Sequence, residues 1–120
     1  MPNGSAYSIR YTGVQDVRGK RSARLVMSGF ESIAESPYFS PSTLIGSPGE
    51  HVRVTIVNQS LVPFTHNFTL EKQRIDHDIP WKKSYVVTVT FPKSGTLFFY
   101  CKYHVTFGQV GELVVHSRSR

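Results

Sequence analysis

From about Arg24 onward the chain is a succession of short runs rich in Val, Ile, Thr, Phe and Tyr, each closed by turn-forming residues, and no segment shows the apolar spacing of an amphipathic helix. Such a chain can bury its apolar side chains only by pairing strands. Strands are expected at Ser5–Tyr11, Ala23–Phe30, Ser42–Ile45, His51–Asn58, His66–Glu71, Ser84–Phe91, Thr96–Cys101 and Gln109–His116. Ser47-Pro48-Gly49, Ile79-Pro80 and Pro92-Lys93-Ser94-Gly95 fall between runs, where a fixed or positive φ is needed to reverse the chain. The pattern predicts an all-β sandwich or barrel of about seven to eight strands. At 120 residues one domain is expected. Residues 1–22 are less patterned and read as an arm or an added strand, leaving residues 23–120 as the domain proper.

The chain has a single cysteine, so no disulfide within it is possible, and Cys101 acts alone or with a metal. Fourteen Lys and Arg against eight Asp and Glu give a formal charge of +6, which favours encounter with anionic partners. The basic residues form no long stripe and sit on no recognition helix, so nucleic-acid binding is not expected. No run approaches the roughly 18 apolar residues of a membrane-spanning helix. The opening Met1-Pro2-Asn3-Gly4-Ser5 lacks the pattern of a secretory signal and leaves cytosol and export with a removed leader both open.

In a strand every second residue faces the same side. Leu97, Phe99 and Cys101 therefore share one face, His66, Phe68 and Leu70 another, and Val52, Val54 and Ile56 a third. His66 and Cys101 are each expected to point inward at the end of an apolar strand face. Cys101 is followed by His104 three residues on and Gln109 five residues beyond that. A thiolate, an imidazole and a weaker oxygen donor can converge across one tight loop, with His66 as the best candidate for a fourth donor. Two imidazoles, one thiolate and a long weak donor are the ligand set of electron-transfer copper.

From about Tyr38 to Val115 the sequence resembles the cupredoxins, including plastocyanin-like and stellacyanin-like proteins. The matching segments are Phe39-Ser40-Pro41-Ser42-Thr43-Leu44, Pro48-Gly49-Glu50, Val57-Asn58-Gln59-Ser60, His66-Asn67-Phe68, Phe99-Tyr100-Cys101-Lys102-Tyr103-His104 and Gly108-Gln109-Val110-Gly111. The resemblance implies a Greek-key sandwich with one type-1 copper per chain, cycling between Cu(I) and Cu(II), on His66, Cys101, His104 and Gln109. Gln109 stands where the family more often has Met, as in the stellacyanin-like members, and a harder amide oxygen should lower the reduction potential. The resemblance further implies that Asn67 braces the Cys101 loop from the second shell. It makes His104 the electron port, with Val105, Phe107 and Pro63 as an apolar docking patch. A periplasmic, extracytoplasmic or secreted monomer exchanging single electrons with a redox protein is the implied role. Asn67-Phe68-Thr69 also reads as a glycosylation sequon, and no glycan is expected so close to the metal loop.

Other functions compete. A Cys-His hydrolase needs an orienting third group and oxyanion donors, and nothing in the sequence supplies them. Zinc also suits Cys and His, and would be colourless and redox-silent. Copper storage or delivery, or a cupredoxin-like interaction domain without redox turnover, would share every feature described. Paired His-x-His motifs of a multicopper oxidase are absent, so the chain is read as an electron-transfer protein and not an enzyme. His51, His77 and His116 are expected to be ordinary polar residues, and Asp76-His77-Asp78 a solvated loop.

Overall fold

Strict alternation sets the pattern of His51–Asn58, in which Val52, Val54 and Ile56 turn inward while His51 and Arg53 stay in water. The computed structural model describes residue 9 and residues 11–28 and 37–116. Among these it forms ten strands: β1 Val14–Asp16, β2 Ser22–Ser28, β3 Tyr38–Ser40, β4 Thr43–Gly46, β5 His51–Asn58, β6 His66–Leu70, β7 Ile75–Ile79, β8 Ser84–Thr90, β9 Thr96–Tyr100 and β10 Val110–Val115. They make two sheets, ordered β1-β4-β10-β9-β6-β7 and β3-β2-β5-β8. The chain passes repeatedly from one sheet to the other, giving the expected Greek-key sandwich.

Seven of the expected runs reappear, six with ends shifted by a residue or two and one, β5, coinciding with its run. Most of Ser5–Tyr11 lies outside the described residues, as do the last two residues of Ala23–Phe30. Three strands were not expected. β1 and β3 are three residues each, too short to show a period, and exist through pairing with β4 and β2. β7 corrects the reading of Asp76-His77-Asp78 as a solvated loop. Its charged centre hides a strand whose five residues all pair with β6, while buried Ile79 anchors one end.

The core between the sheets is filled by Leu25, Leu44, Val52, Val54, Ile56, Val89 and Leu113, all essentially inaccessible. At its centre Phe39, from the smaller sheet, meets Phe99 edge-on at 5.0 Å and Phe68 at 6.3 Å. Edge-to-face contact of this kind adds about 0.5–1.5 kcal/mol per pair beyond the area buried. The Phe99 ring lies over Gly111, its direct partner across the β9–β10 ladder, so closely that a Cβ there would overlap the ring. Gly111→Ala is therefore expected to overpack the core and cost about 1–3 kcal/mol. The melting temperature should fall by roughly 4–15 °C; an unchanged melting curve would show that Phe99 moves aside freely.

Candidate metal centre

β6 and β10 both run antiparallel to β9. The start of β6, the end of β9 and the start of β10 therefore lie at one end of the larger sheet. His66 opens β6, Cys101 directly follows β9 and Gln109 directly precedes β10. Strand pairing thus brings His66 to Cys101 and Gln109, the two ends of the β9–β10 connection, which itself carries His104.

That connection is tightly closed. The Cys101 N–H donates to the Gln109 carbonyl at 3.0 Å, and the His104 N–H to the Cys101 carbonyl at 3.1 Å. A single 3-10 turn, Val105–Phe107, ends at Gly108 with φ +91°, a conformation that favours glycine. Val105 is buried beside Tyr100 and Val110, which corrects its assignment to a surface patch, whereas Phe107 is half exposed and Pro63 is in water.

One ligand-type atom from each of His66, Cys101 and His104 lies within 4.8 Å of the others. The Gln109 Oε1 atom is 3.0 Å from His66 Nδ1 and 3.0 Å from His104 Nδ1, and the Cys101 Sγ is 3.5 Å from His104 Nδ1. His66, Cys101 and Gln109 are fully buried and His104 is half-buried. Burial pushes the Cys101 thiol pKa up, partly offset by the backbone N–H groups of Tyr103, Asn67 and His104. Desolvation pushes His104 down, opposed by Gln109. Both side chains are therefore kept neutral at pH 7, with a thiol proton to lose and an imidazole lone pair to offer.

His66 is fixed from behind. Its Nε2 lies 2.7 Å from the Ser60 hydroxyl in a buried contact. Ser60 is itself held by its N–H on Asn58 Oδ1 at 3.2 Å and by the Trp81 indole N–H on its carbonyl at 2.8 Å. Asn58 in turn donates to the carbonyls of Phe64 and Ile79. Sequence reasoning gave Ser60 no role, because nothing local marks a hydroxyl that works six residues away. Asn67 is fully buried and accepts from the Lys102 N–H at 3.3 Å, within the loop after Cys101. Its amide is enclosed, which leaves no room for a glycan. His51 pairs with Thr90 through Nδ1, and His77 stacks on Tyr85, so neither joins the cluster.

The donor set fits a metal ion. First-row ions bond nitrogen and sulfur at about 2.0–2.3 Å, which sets ligand atoms on a shared ion roughly 3–4 Å apart. The four side chains are already near that spacing. A thiol, two imidazoles and an amide, with no carboxylate among them, suit a soft or borderline ion such as copper and disfavour magnesium or calcium.

The sequence profile of the cupredoxin-like domain matches residues 23–115, and the chain belongs to this family of copper-binding domains. No curated protein sequence matches it. Among solved structures it is similar to auracyanin from the photosynthetic bacterium Roseiflexus castenholzii, at 18% identity and a TM-score of 0.62 over 80% of this chain and 97% of that one. It is also similar to the metal-binding domain of the Cu(I)-exporting P-type ATPase CopA of Streptococcus pneumoniae, solved with Cu(I), at 14% identity and a TM-score of 0.61 over 86% and 97%. The laccase-like multi-copper oxidase CueO of Ochrobactrum sp. matches at 11% identity and a TM-score of 0.69. That match covers 91% of this chain and only 30% of the oxidase, so the chain spans under a third of its length. At these identities the likeness is one of fold.

Ser60→Ala would leave the His66 Nε2 buried without its hydroxyl. The metal-free protein is expected to lose about 1–3 kcal/mol in denaturant unfolding. A loss below a few tenths of a kcal/mol would mean that His66 is positioned by other contacts.

Proposed function

We propose that this protein is a one-electron carrier whose mononuclear copper centre is formed by His66, Cys101, His104 and Gln109. The observation that carries the proposal is the convergence of these four donors, none of them a carboxylate and three of them wholly buried, at one end of a sandwich braced by aromatic packing. Bound there, one copper per chain supplies reversible cycling between Cu(I) and Cu(II). The protein's part is to keep the donors still, because an electron moves quickly only when little must rearrange. Ser60 fixes the His66 ring, the Gln109 amide spans both imidazoles, and the Cys101–Gln109 backbone bond closes the loop. Cys101 gives up its thiol proton on loading, so burial that raises its pKa also makes metal uptake depend on pH.

His104 is the less buried imidazole and serves as the electron port. Phe64 meets its ring edge-on at 6.1 Å, and Phe107, three residues on in the same loop, is 54% accessible. These residues give a redox partner an apolar landing area, while the +6 formal charge of the chain attracts an acidic one. The carrier works as a monomer outside the cytoplasm, without nucleic acid and without chemistry of its own on a substrate. No helix among the described residues is long and apolar enough to cross a membrane.

Copper delivery is the alternative function, favoured by the shared fold of the Cu(I)-bound domain of the S. pneumoniae exporter. Repeated voltammetric cycling separates the two. A carrier retains its copper through many cycles, whereas a delivery module surrenders it to a Cu(I) chelator on reduction.

Addition of one equivalent of Cu(II) to the metal-free protein is expected to produce intense visible absorption and a type-1 paramagnetic resonance signal, both absent in Cys101→Ser. A colourless product, or colour that survives loss of the sulfur, would overturn the copper-thiolate assignment. Gln109→Met should raise the reduction potential by exchanging a hard oxygen for a soft thioether; an unchanged or lower potential would remove Gln109 from the ligand set. Phe107→Asp is expected to slow electron exchange with a partner protein at least severalfold without changing the visible spectrum, and unaltered rates would dismiss the landing area.

A further inference from the structure

We propose that Asp76 and Asp78, on the edge strand β7, are positioning residues that hold the Cys101–His104 loop in its metal-ready shape through Asn67, Lys102 and Tyr103. This inference rests on the reading of that loop as part of a copper centre.

Asp76 and Asp78 are two residues apart on one strand and so project to the same side of the sheet. Asn67, across the ladder on β6, spends both of its amide hydrogens on them: Nδ2 donates to Asp76 Oδ1 at 2.9 Å and to Asp78 Oδ1 at 2.8 Å. An amide whose NH2 is committed in this way has only one orientation. Its Oδ1 must face the other way, where it accepts from the Thr69 hydroxyl at 2.5 Å and from the Lys102 backbone N–H at 3.3 Å. The two carboxylates thereby decide which end of Asn67 meets the metal loop.

The loop reaches back to the same carboxylates. Lys102 Nζ lies 3.0 Å from Asp76 Oδ1 and 3.2 Å from Asp76 Oδ2, and the Tyr103 hydroxyl donates to Asp78 Oδ2 at 2.6 Å. Lys102 and Tyr103 are the two residues between the ligands Cys101 and His104. Each is tied to one carboxylate, and the first is also tied through its peptide N–H to Asn67. Three bonds thus fix a stretch that determines how far the sulfur sits from the imidazole.

Two adjacent carboxylates would ordinarily repel. Here each is satisfied by two donors, and both pKa values are lowered, Asp76 first by Asn67 and then by Lys102, Asp78 first by Tyr103 and then by Asn67. The exposed Lys102–Asp76 pair alone would be worth little to stability. Its value lies in the geometry that the whole network sets. His77, between the two, does not take part, because its ring stacks on Tyr85 at 3.8 Å. Partners of metal ligands typically change metal affinity by about 10–100-fold when removed.

The test compares the wild-type chain with Tyr103→Phe, with Asp78→Asn and with the double variant Asp76→Asn, Asp78→Asn. Amide hydrogen exchange is followed by NMR in the metal-free protein, and Cu(I) affinity, visible absorption and paramagnetic resonance in the copper-loaded protein. The amides of Lys102, Tyr103 and His104 are expected to exchange about tenfold faster in each variant, the factor that corresponds to the net worth of one hydrogen bond. The amides of Val54 and Ile56 in β5 should keep wild-type protection. Cu(I) affinity should fall about tenfold or more in the double variant, with altered copper-thiolate bands and hyperfine splitting. Wild-type exchange, affinity and spectra in all variants would overturn the proposal, and so would equal acceleration in β5, which would mark the network as general scaffolding. Should the wild-type chain bind no copper, the copper function fails by itself, while loop exchange in the metal-free protein still decides whether the carboxylates position the loop.

Discussion

The contact of Phe39 with Phe68 and Phe99 ties the two sheets together directly beneath the candidate metal centre. Phe39 belongs to β3, while Phe68 and Phe99 lie on β6 and β9, the strands that deliver His66 and Cys101. If this cluster were loose, the two ends could slide relative to each other and the imidazole would no longer face the sulfur. Gly111 serves the same contact from β10 by offering no side chain where the Phe99 ring lies. Core packing and donor spacing are therefore one problem. The rigidity that the proposed electron transfer needs comes from the hydrophobic interior, where packing resists small displacements.

Burial has a second consequence, which is electrostatic. A buried charge without a partner is costly, and burial in the metal-free protein disfavours the charged forms of Cys101 and His104. Burial favours the Cys101 thiol and the neutral His104 ring, and Gln109 carries no charge. Charged groups are kept one layer further out, at Asp76, Asp78 and Lys102, where solvent and mutual pairing satisfy them. The protein can thus fold around four polar side chains before any metal arrives; on loading the thiol must lose its proton, and an Nδ1–H donated to Gln109 must move to the other ring nitrogen before Nδ1 can bind.

What could be read from sequence followed from local period and local spacing. Alternation in Val52, Val54 and Ile56 and in Leu97, Phe99 and Cys101 gave the strands and their inward faces, and the interval from Cys101 to Gln109 gave a loop that brings its donors together. β7 escaped because Asp-His-Asp looks like a solvated turn until Asn67 is seen to need both carboxylates. Ser60 escaped because its hydroxyl serves a ring in a different strand, and Val105 was misplaced because the 3-10 turn folds it under Tyr100. In each case the missing knowledge was a contact between segments, which no window along the chain contains.

Gln109 shows how such contacts also settle chemistry. Its Nε2 donates to the Tyr38 carbonyl at 3.1 Å, at the start of β3 in the opposite sheet. A carbonyl can only accept, so the amide NH2 must lie on that side and Oε1 must point toward His66 and His104. Were the amide reversed, its hydrogens would face the two Nδ1 atoms and no oxygen would be available to a metal. The smaller sheet therefore determines, through one backbone carbonyl, that the Gln109 oxygen is the atom turned toward the two imidazoles. An amide held in this way is suited to the proposed role of a weak ligand, which has to stay in place if it is to set a potential without slowing the transfer.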